Sequence, residues 1–254
     1  MKFDELEARF RALETQSDAR LPEAKWIVAR LDGRGFTRLT KRSLDLQKPF
    51  DARFHDAMKQ TVAHLCQCGF AVRLAFSQSD EISLLFDPTE RGFDGKTRKW
   101  LSVLAGEASA AFSLSMGGIG VFDCRLVALK DAGLVEDYFR WRQSDATRNA
   151  LSAHAYWLLR GRSESARSAT KQLDGLSPTQ KRAWLESNGI EVESLPCWQL
   201  RGFAAFWEQY EKAGFNPATS ETVTATRKRL AFELELPEQE AFGVWLRERV
   251  ERTE

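Results

Sequence analysis

Hydrophobic positions along the chain change spacing from helical to alternating and back again. Phe3, Leu6, Phe10 and Leu13 recur every three or four residues and predict a short amphipathic helix. Trp26 to Leu31 is a β-leaning run that stops at Asp32-Gly33-Arg34-Gly35, where two close glycines mark a tight turn. From Pro49 to about Cys68, the residues Phe50, Phe54, Ala57, Met58, Thr61 and Leu65 fit one helix, with Pro49 in its first turn and Gly69 at its end. Phe70 to Phe76 and Ile82 to Phe86 read as two strands joined by the polar turn Ser77-Gln78-Ser79-Asp80, which is a hairpin. Lys96 to Ser115, rich in Ala and Leu, predicts a second long helix broken at Gly117-Gly118, and Phe122 to Leu129 a fourth strand.

Strand, helix, strand, strand, helix, strand is the split βαβ order of a ferredoxin-like sheet, an α+β class with a βαββαβ palm core. Beyond it, about Leu134 to Arg160 reads as a long helix. Shorter helical pieces, a β-leaning Trp198 to Trp207, a strand candidate from Thr222 to Leu236 and a closing helix follow. The expected division is a core over 1–130, further helices and a strand over 131–215, and a C-terminal β/α extension over 216–254 whose role the sequence leaves open.

That topology has a chemical consequence. In a βαββαβ sheet the first two strands run parallel, with the third antiparallel between them. The first ends at Asp32, and the turn joining the second to the third carries Asp80, so both carboxylates fall on one edge. Two such groups repel unless something positive sits between them. Magnesium bound through oxygen is the usual answer, because it keeps positions open for water and substrate phosphates. Two ions held this way can activate an attacking hydroxyl and neutralise a leaving pyrophosphate. Gly33 adds a backbone carbonyl at close approach, and Gly35 lets backbone N–H groups face phosphates. An Asp-Gly after a strand and a Ser-Asp at a hairpin tip are each ordinary turn chemistry. Their coincidence on one edge is what points to a site.

Composition narrows the classes. At 254 residues the chain can hold one substantial core and a smaller appended region. Hydrophobic residues at 43% and charged residues at 29% are ordinary for a globular chain, and a net charge of +1 means that any nucleic-acid contact comes from local basic patches. Met1 to Leu6 lacks the apolar core of a signal peptide, and no stretch has the length needed to cross a membrane, so a cytoplasmic protein is expected. Cys66 and Cys68 form C-x-C without a second pair, and with Cys124 and Cys197 they read as free thiols, not as a zinc site or a disulfide scaffold. His55, His64 and His154 lack metal-ligand spacing and receive no catalytic role.

Four blocks then carry a resemblance. Arg30-Leu31-Asp32-Gly33-Arg34-Gly35-Phe36 is similar to the R-[IL]-D-G-R-x-F signature of the tRNA-His guanylyltransferase family, which includes bacterial and archaeal guanylyltransferase-like proteins. Lys48-Pro49-Phe50-Asp51 resembles its K-P-x-D, and Ser77-Gln78-Ser79-Asp80-Glu81-Ile82-Ser83 its x-Q-S-D-E-x-S hairpin. Asp137-Tyr138-Phe139-Arg140-Trp141-Arg142-Gln143-Ser144-Asp145 resembles its D-Y-[FL]-x-W-R-Q-x-D. The blocks stand in the family's order and at comparable intervals, between about residues 25 and 207.

The resemblance implies a nucleotidyltransferase that adds nucleotides to a tRNA 5′ end in the 3′-to-5′ direction. The 5′-monophosphate is first activated by ATP or GTP, and the 3′-hydroxyl of an incoming nucleotide then attacks it. Carried over by position, Asp32, the Gly33 carbonyl and Asp80 hold two magnesium ions. Arg34, Gly35, Phe36 and Thr37 shape the nucleotide pocket, with Lys48, Asp51 and Ser79 near it and Glu81 supporting the site from behind. Lys96, Arg98 and Lys99 lead the second helix, where a helix start and cations together suit a triphosphate. Arg140, Arg142, Arg148, Asn149 and Lys181 are expected on the tRNA, through salt-sensitive and largely sequence-blind contacts where they meet phosphates. Trp141 is a further candidate there, although helix packing is the more ordinary role for it. Family members are homotetramers, so the same assembly is expected.

One departure bears on the substrate. Eukaryotic members carry H-I-N-N just after the W-R-Q-x-D block, where this chain has Thr147-Arg148-Asn149-Ala150. That fits the branch resembling template-dependent repair enzymes for 5′-truncated tRNAs better than strict tRNA-His specificity. Two other readings remain open on the same residues: a nucleotide cyclase or signalling synthase built on a similar palm, and a non-catalytic RNA-binding module.

Overall fold

Alternating apolar residues between glycine and polar breakers assemble into one six-stranded sheet. A computed structural model describes residues 3–16, 18–22, 26–40, 45–216 and 221–251. Helix α1 (Phe3–Thr15) is followed by β1 (Trp26–Gly33), the short α2 (Phe36–Arg38), α3 (Ala52–Leu65), β2 (Val72–Gln78), β3 (Glu81–Phe86), α4 (Thr97–Met116) and β4 (Phe122–Leu129). Next come α5 (Ala132–Gly161), α6 (Ala166–Leu173), α7 (Pro178–Ser187), α8 (Cys197–Arg201), β5 (Phe203–Asn216), β6 (Glu221–Glu233) and α9 (Gln239–Val250).

The strand order is β4-β1-β3-β2-β5-β6, with each neighbouring pair antiparallel. β1 and β2 therefore run parallel with β3 between them, the arrangement expected of the βαββαβ core. β1 buries side chains on both faces, as a central strand must. Ile27, Ala29 and Leu31 pack with Met58 and Val62 of α3 and with Trp100 and Leu104 of α4. Trp26 and Val28 pack on the other face with Val135 and Phe139 of α5 and Phe242 of α9. The second half of α5 builds a separate core with α6, α7 and α8, in which Leu151, Ala169, Leu185 and Leu200 are buried.

Three expectations change. Pro49 lies ahead of α3, not inside it, because Asp51 is the N-cap, accepting from the Arg53 backbone N–H. Trp198 to Arg201 belong to the single-turn α8, and the strand begins only at Phe203, after Gly202 at φ 72°. β5 then runs on to Asn216, so the division expected near residue 216 falls at the end of a strand that is paired with β6 along its whole length.

Candidate nucleotide site

The hairpin closes through a two-residue turn, shorter than the four polar residues Ser77 to Asp80 predict. β2 extends to Gln78 and β3 starts at Glu81, leaving Ser79 and Asp80 at the hairpin tip. Ser79 takes a left-handed φ of 49°, uncommon for a residue with a side chain, and its hydroxyl lies 3.1 Å from the Asp80 carboxylate. The Gly33 N–H donates to the Asp80 carbonyl at 3.0 Å, which ties the end of β1 to the hairpin tip. A Cβ on Gly33 would come within 2.5 Å of the Phe36 ring and 2.9 Å of the Asp80 Cβ, so the close approach requires glycine.

Asp32 thus stands beside Asp80 on the sheet edge. Burial, reinforced by the charge of Asp32, holds the Asp80 carboxyl above its usual pKa despite backbone and Ser79 hydrogen bonds. Among the described residues neither aspartate forms an ion pair with a cation. Residues that could hold a metal here are those two carboxylates and nearby backbone carbonyls. No group of three or more His, Cys, Asp or Glu side chains suited to a metal occurs among the described residues. A donor set of two repelling carboxylates fits magnesium, which takes one or two carboxylates and completes its shell with water and phosphate.

Glu81 is directed elsewhere. It pairs across the sheet with Asp32, but both its oxygens accept from Arg142 of α5, at 2.7 Å each. Arg142 also donates to Asp145 at 2.9 Å, and only 4% of its side chain is exposed. The expectation that Arg142 touches RNA is therefore corrected: it is a buried tie between α5 and β3. Arg148 and Asn149 bond to the same Asp145, and Asn149 faces the cavity described below. Arg140 pairs with Glu136 and Glu240, and Lys181 donates to Ser152 at 3.0 Å.

Beside Asp80 opens a cavity of about 390 Å³. Ser79 and Asp80 form its wall at the sheet edge, with Phe36 and Thr37 of α2, Lys48 and Asp51 ahead of α3, and Asn149 of α5 around it. Its size suits a single nucleotide, and its walls join aromatic and polar groups as ligand sites do. Much of that aromatic wall was not singled out from the sequence. His55 stacks on Trp198 with ring centres 4.3 Å apart, and Phe50 packs against both Trp198 and His154. These residues come from three separated segments, which no local spacing could join. Lys48 donates to the Thr40 carbonyl, and Asp51 is occupied by the Gln47 and Arg53 backbone N–H groups and the Arg53 guanidinium. Asp32, Gly33, Arg34, Gly35 and Glu81 do not line the cavity; Arg34 and Gly35 are exposed at the loop after β1.

Lys96, Arg98 and Lys99 are not brought to this edge, which corrects their expected place at the triphosphate. β3 leaves the edge at Glu81, so α4 begins at the far end of the sheet, where Lys96 bridges to Arg20. The C-terminal end of α4, not its start, returns to Phe122 beside Gly33. A helix of 20 residues spans about 30 Å, so within one chain these cations stand well away from Asp80. Arg98 pairs there with Asp18.

An antiparallel palm with paired aspartates beside a nucleotide-sized cavity defines a nucleotidyltransferase class. Family comparison makes this specific: the tRNA-His guanylyltransferase model matches residues 7–130, and the model of the Thg1 C-terminal domain matches residues 133–237. The chain belongs to the tRNA-His guanylyltransferase family and is an enzyme of that nucleotidyltransferase class. It is 28% identical to a probable tRNA(His) guanylyltransferase of Drosophila melanogaster over 74% of this chain and 68% of that protein. A Dictyostelium discoideum relative described in the same words is 27% identical, over 82% of this chain and 84% of that one. Among solved structures, a bacterial tRNA(His) guanylyltransferase-like protein in complex with ATP superposes with a TM-score of 0.77 at 27% identity, covering 97% of this chain and 100% of that one. Its counterpart in complex with GTP gives 0.73, also at 27% identity, over 98% and 100%.

Proposed function

We propose that this enzyme adds nucleotides to the 5′ end of tRNA in the 3′-to-5′ direction, after ATP or GTP activates the 5′ phosphate. The observation that carries this reading is that Asp80, which feels the charge of Asp32 beside it, forms part of the wall of a nucleotide-sized cavity. Asp32, Asp80 and the Gly33 carbonyl would hold magnesium. When bound, it would neutralise phosphate charge and favour the ionised form of an attacking hydroxyl. The chain's own part is positional. Aromatic walls take the activating base, Lys48 and the Ser79 hydroxyl stand where phosphates enter, and the Arg142–Glu81 tie keeps the edge from shifting. Holding the reacting groups in place removes much of the entropic barrier to joining two nucleotides.

The departure at Thr147-Arg148-Asn149-Ala150 supports template-dependent repair of 5′-truncated tRNAs over strict addition to tRNA-His. Arg140, Arg148 and Lys181 are the surface cations offered for RNA backbone contact. A cytoplasmic homotetramer belongs to the same proposal.

The test is product analysis. With [α-³²P]ATP or GTP, magnesium and 5′-monophosphorylated tRNA lacking its first nucleotide, a nucleotide-capped RNA forms first and an RNA one nucleotide longer follows. Cyclic or self-condensed nucleotide formed without RNA, and no RNA product, would overturn the reading in favour of a cyclase.

A further inference from the structure

Trp141 is 55% exposed on α5, although a tryptophan on a helix packed against a sheet is ordinarily buried there. Its orientation is nevertheless fixed. The Arg142 guanidinium lies over the ring at 4.4 Å from the centroid, and that guanidinium is locked to Glu81 and Asp145. Tyr138 meets the ring edge-on at 5.9 Å and is itself held by a 3.0 Å hydrogen bond to Ser83 of β3. One face of the ring is thus fixed against Arg142, while the residue as a whole stays more than half exposed.

Its surroundings suit a nucleotide. Residue alternation puts Asp32 and Arg30 of β1 and Asp123 and Arg125 of β4 on the α5 face of the sheet. Arg30 pairs in register with Arg125, and like charges directly opposite on neighbouring strands destabilise a sheet unless an anion lies between or above them. The Arg30 Nε is buried with no hydrogen-bond acceptor; its nearest carboxylate, Glu81, is 4.0 Å away. Arg125 and Asp123 are more than half exposed, so this shelf is open. The lining of the cavity of about 390 Å³ includes none of Trp141, Arg30, Asp32, Asp123 and Arg125.

We infer that Trp141 is a stacking platform for a second nucleobase, held on the open α5 face of the sheet while the first occupies the cavity. This deepens the proposed function, which requires two nucleotides at one pair of carboxylates. The base is that of the incoming nucleotide or of the RNA end, since both present the same flat π face to the ring. Trp141 is a positioning residue. Base–aromatic stacking of this kind is lost on truncation with about a tenfold or greater fall in affinity.

Equilibrium binding tests the inference without turnover. Wild type, Trp141→Ala and Trp141→Phe are titrated with a nucleoside triphosphate plus magnesium, with 5′-truncated tRNA, and with inorganic tripolyphosphate, which has no base. The expected result is a loss of about tenfold in Trp141→Ala for one of the two base-bearing ligands, which identifies the source of the base. Trp141→Phe retains most of that affinity, and tripolyphosphate binding does not change. Equal affinities across the three proteins overturn the inference. So does a parallel loss for tripolyphosphate, or a fall in oligomer mass with base binding intact, which would make the exposed ring an interface. A wild type that binds nucleotide but no tRNA overturns the proposed RNA substrate while leaving the platform testable on the nucleotide arm.

Discussion

Arg142 grips Glu81 through two parallel bonds of 2.7 Å, from Nε to Oε1 and from Nη2 to Oε2. The pair joins the middle of α5 to the strand residue that follows Asp80. Planar two-point pairing of this kind fixes direction as well as distance. Removing one partner of a buried pair leaves the other charge without compensation, at a cost of about 3–5 kcal/mol. Arg142→Ala is therefore expected to lower stability by about that amount in denaturant unfolding. The double substitution Arg142→Met with Glu81→Met should recover most of the loss. A single variant as stable as wild type would contradict the role given to the pair.

Gly33 carries a steric prediction. Its substitution by alanine places a methyl group against the Phe36 ring and the Asp80 Cβ, at 2.5 and 2.9 Å before any adjustment. Overpacking of this degree costs about 1–3 kcal/mol. Because the atoms that must move include Asp80, nucleotide addition should fall further than the change in stability accounts for. Unfolding and turnover measured on the same preparation would separate the two effects.

The raised pKa of Asp80 has a consequence for metal dependence. A carboxyl held above its usual value takes up a proton at a higher pH, and the proton competes with a bound cation. The magnesium concentration giving half-maximal activity should rise as pH falls, and more steeply than it does for an exposed carboxylate. Titrating magnesium at several pH values checks this; a half-saturation that does not move with pH would contradict it.

His55 and His154 make acid stability sensitive to protonation. Burial holds both below the ordinary histidine value of 6.5. Near and below that value the unfolded chain binds more protons than the folded one, so stability falls as pH drops toward the folded-state pKa values and is recovered above 6.5. His154→Gln, which can keep an amide contact to Gln199, should flatten that acid slope in unfolding experiments.

The core sheet was legible because period-two runs, glycine breaks and the polar hairpin tip each fix a local element, and strand order then follows from the βαββαβ pattern. The same reasoning placed Asp32 and Asp80 on one edge. Carried one element further, that topology also requires α4 to start at the far end of the sheet, which removes Lys96, Arg98 and Lys99 from that edge. Arg142 was illegible for a different reason: its partner Glu81 is 61 residues away, and an arginine on a helix is ordinarily exposed. Trp198 lies in a single helical turn between Pro196 and Gly202, too short for any periodicity to show. The cavity's aromatic wall has no local signature, because Phe50, His55 and Trp198 meet only after α3 and α8 have packed.

The central claim is that Asp32 and Asp80 drive nucleotide addition to an RNA 5′ end. The most direct measurement is incorporation of a labelled nucleotide into 5′-monophosphorylated tRNA lacking its first nucleotide, with magnesium, for wild type, Asp32→Ala and Asp80→Ala. Template-matched extension by wild type, reduced about a hundred-fold or more in each variant, is the predicted result. Extension that survives both substitutions, or a wild type that extends no truncated tRNA with either ATP or GTP present, would contradict it.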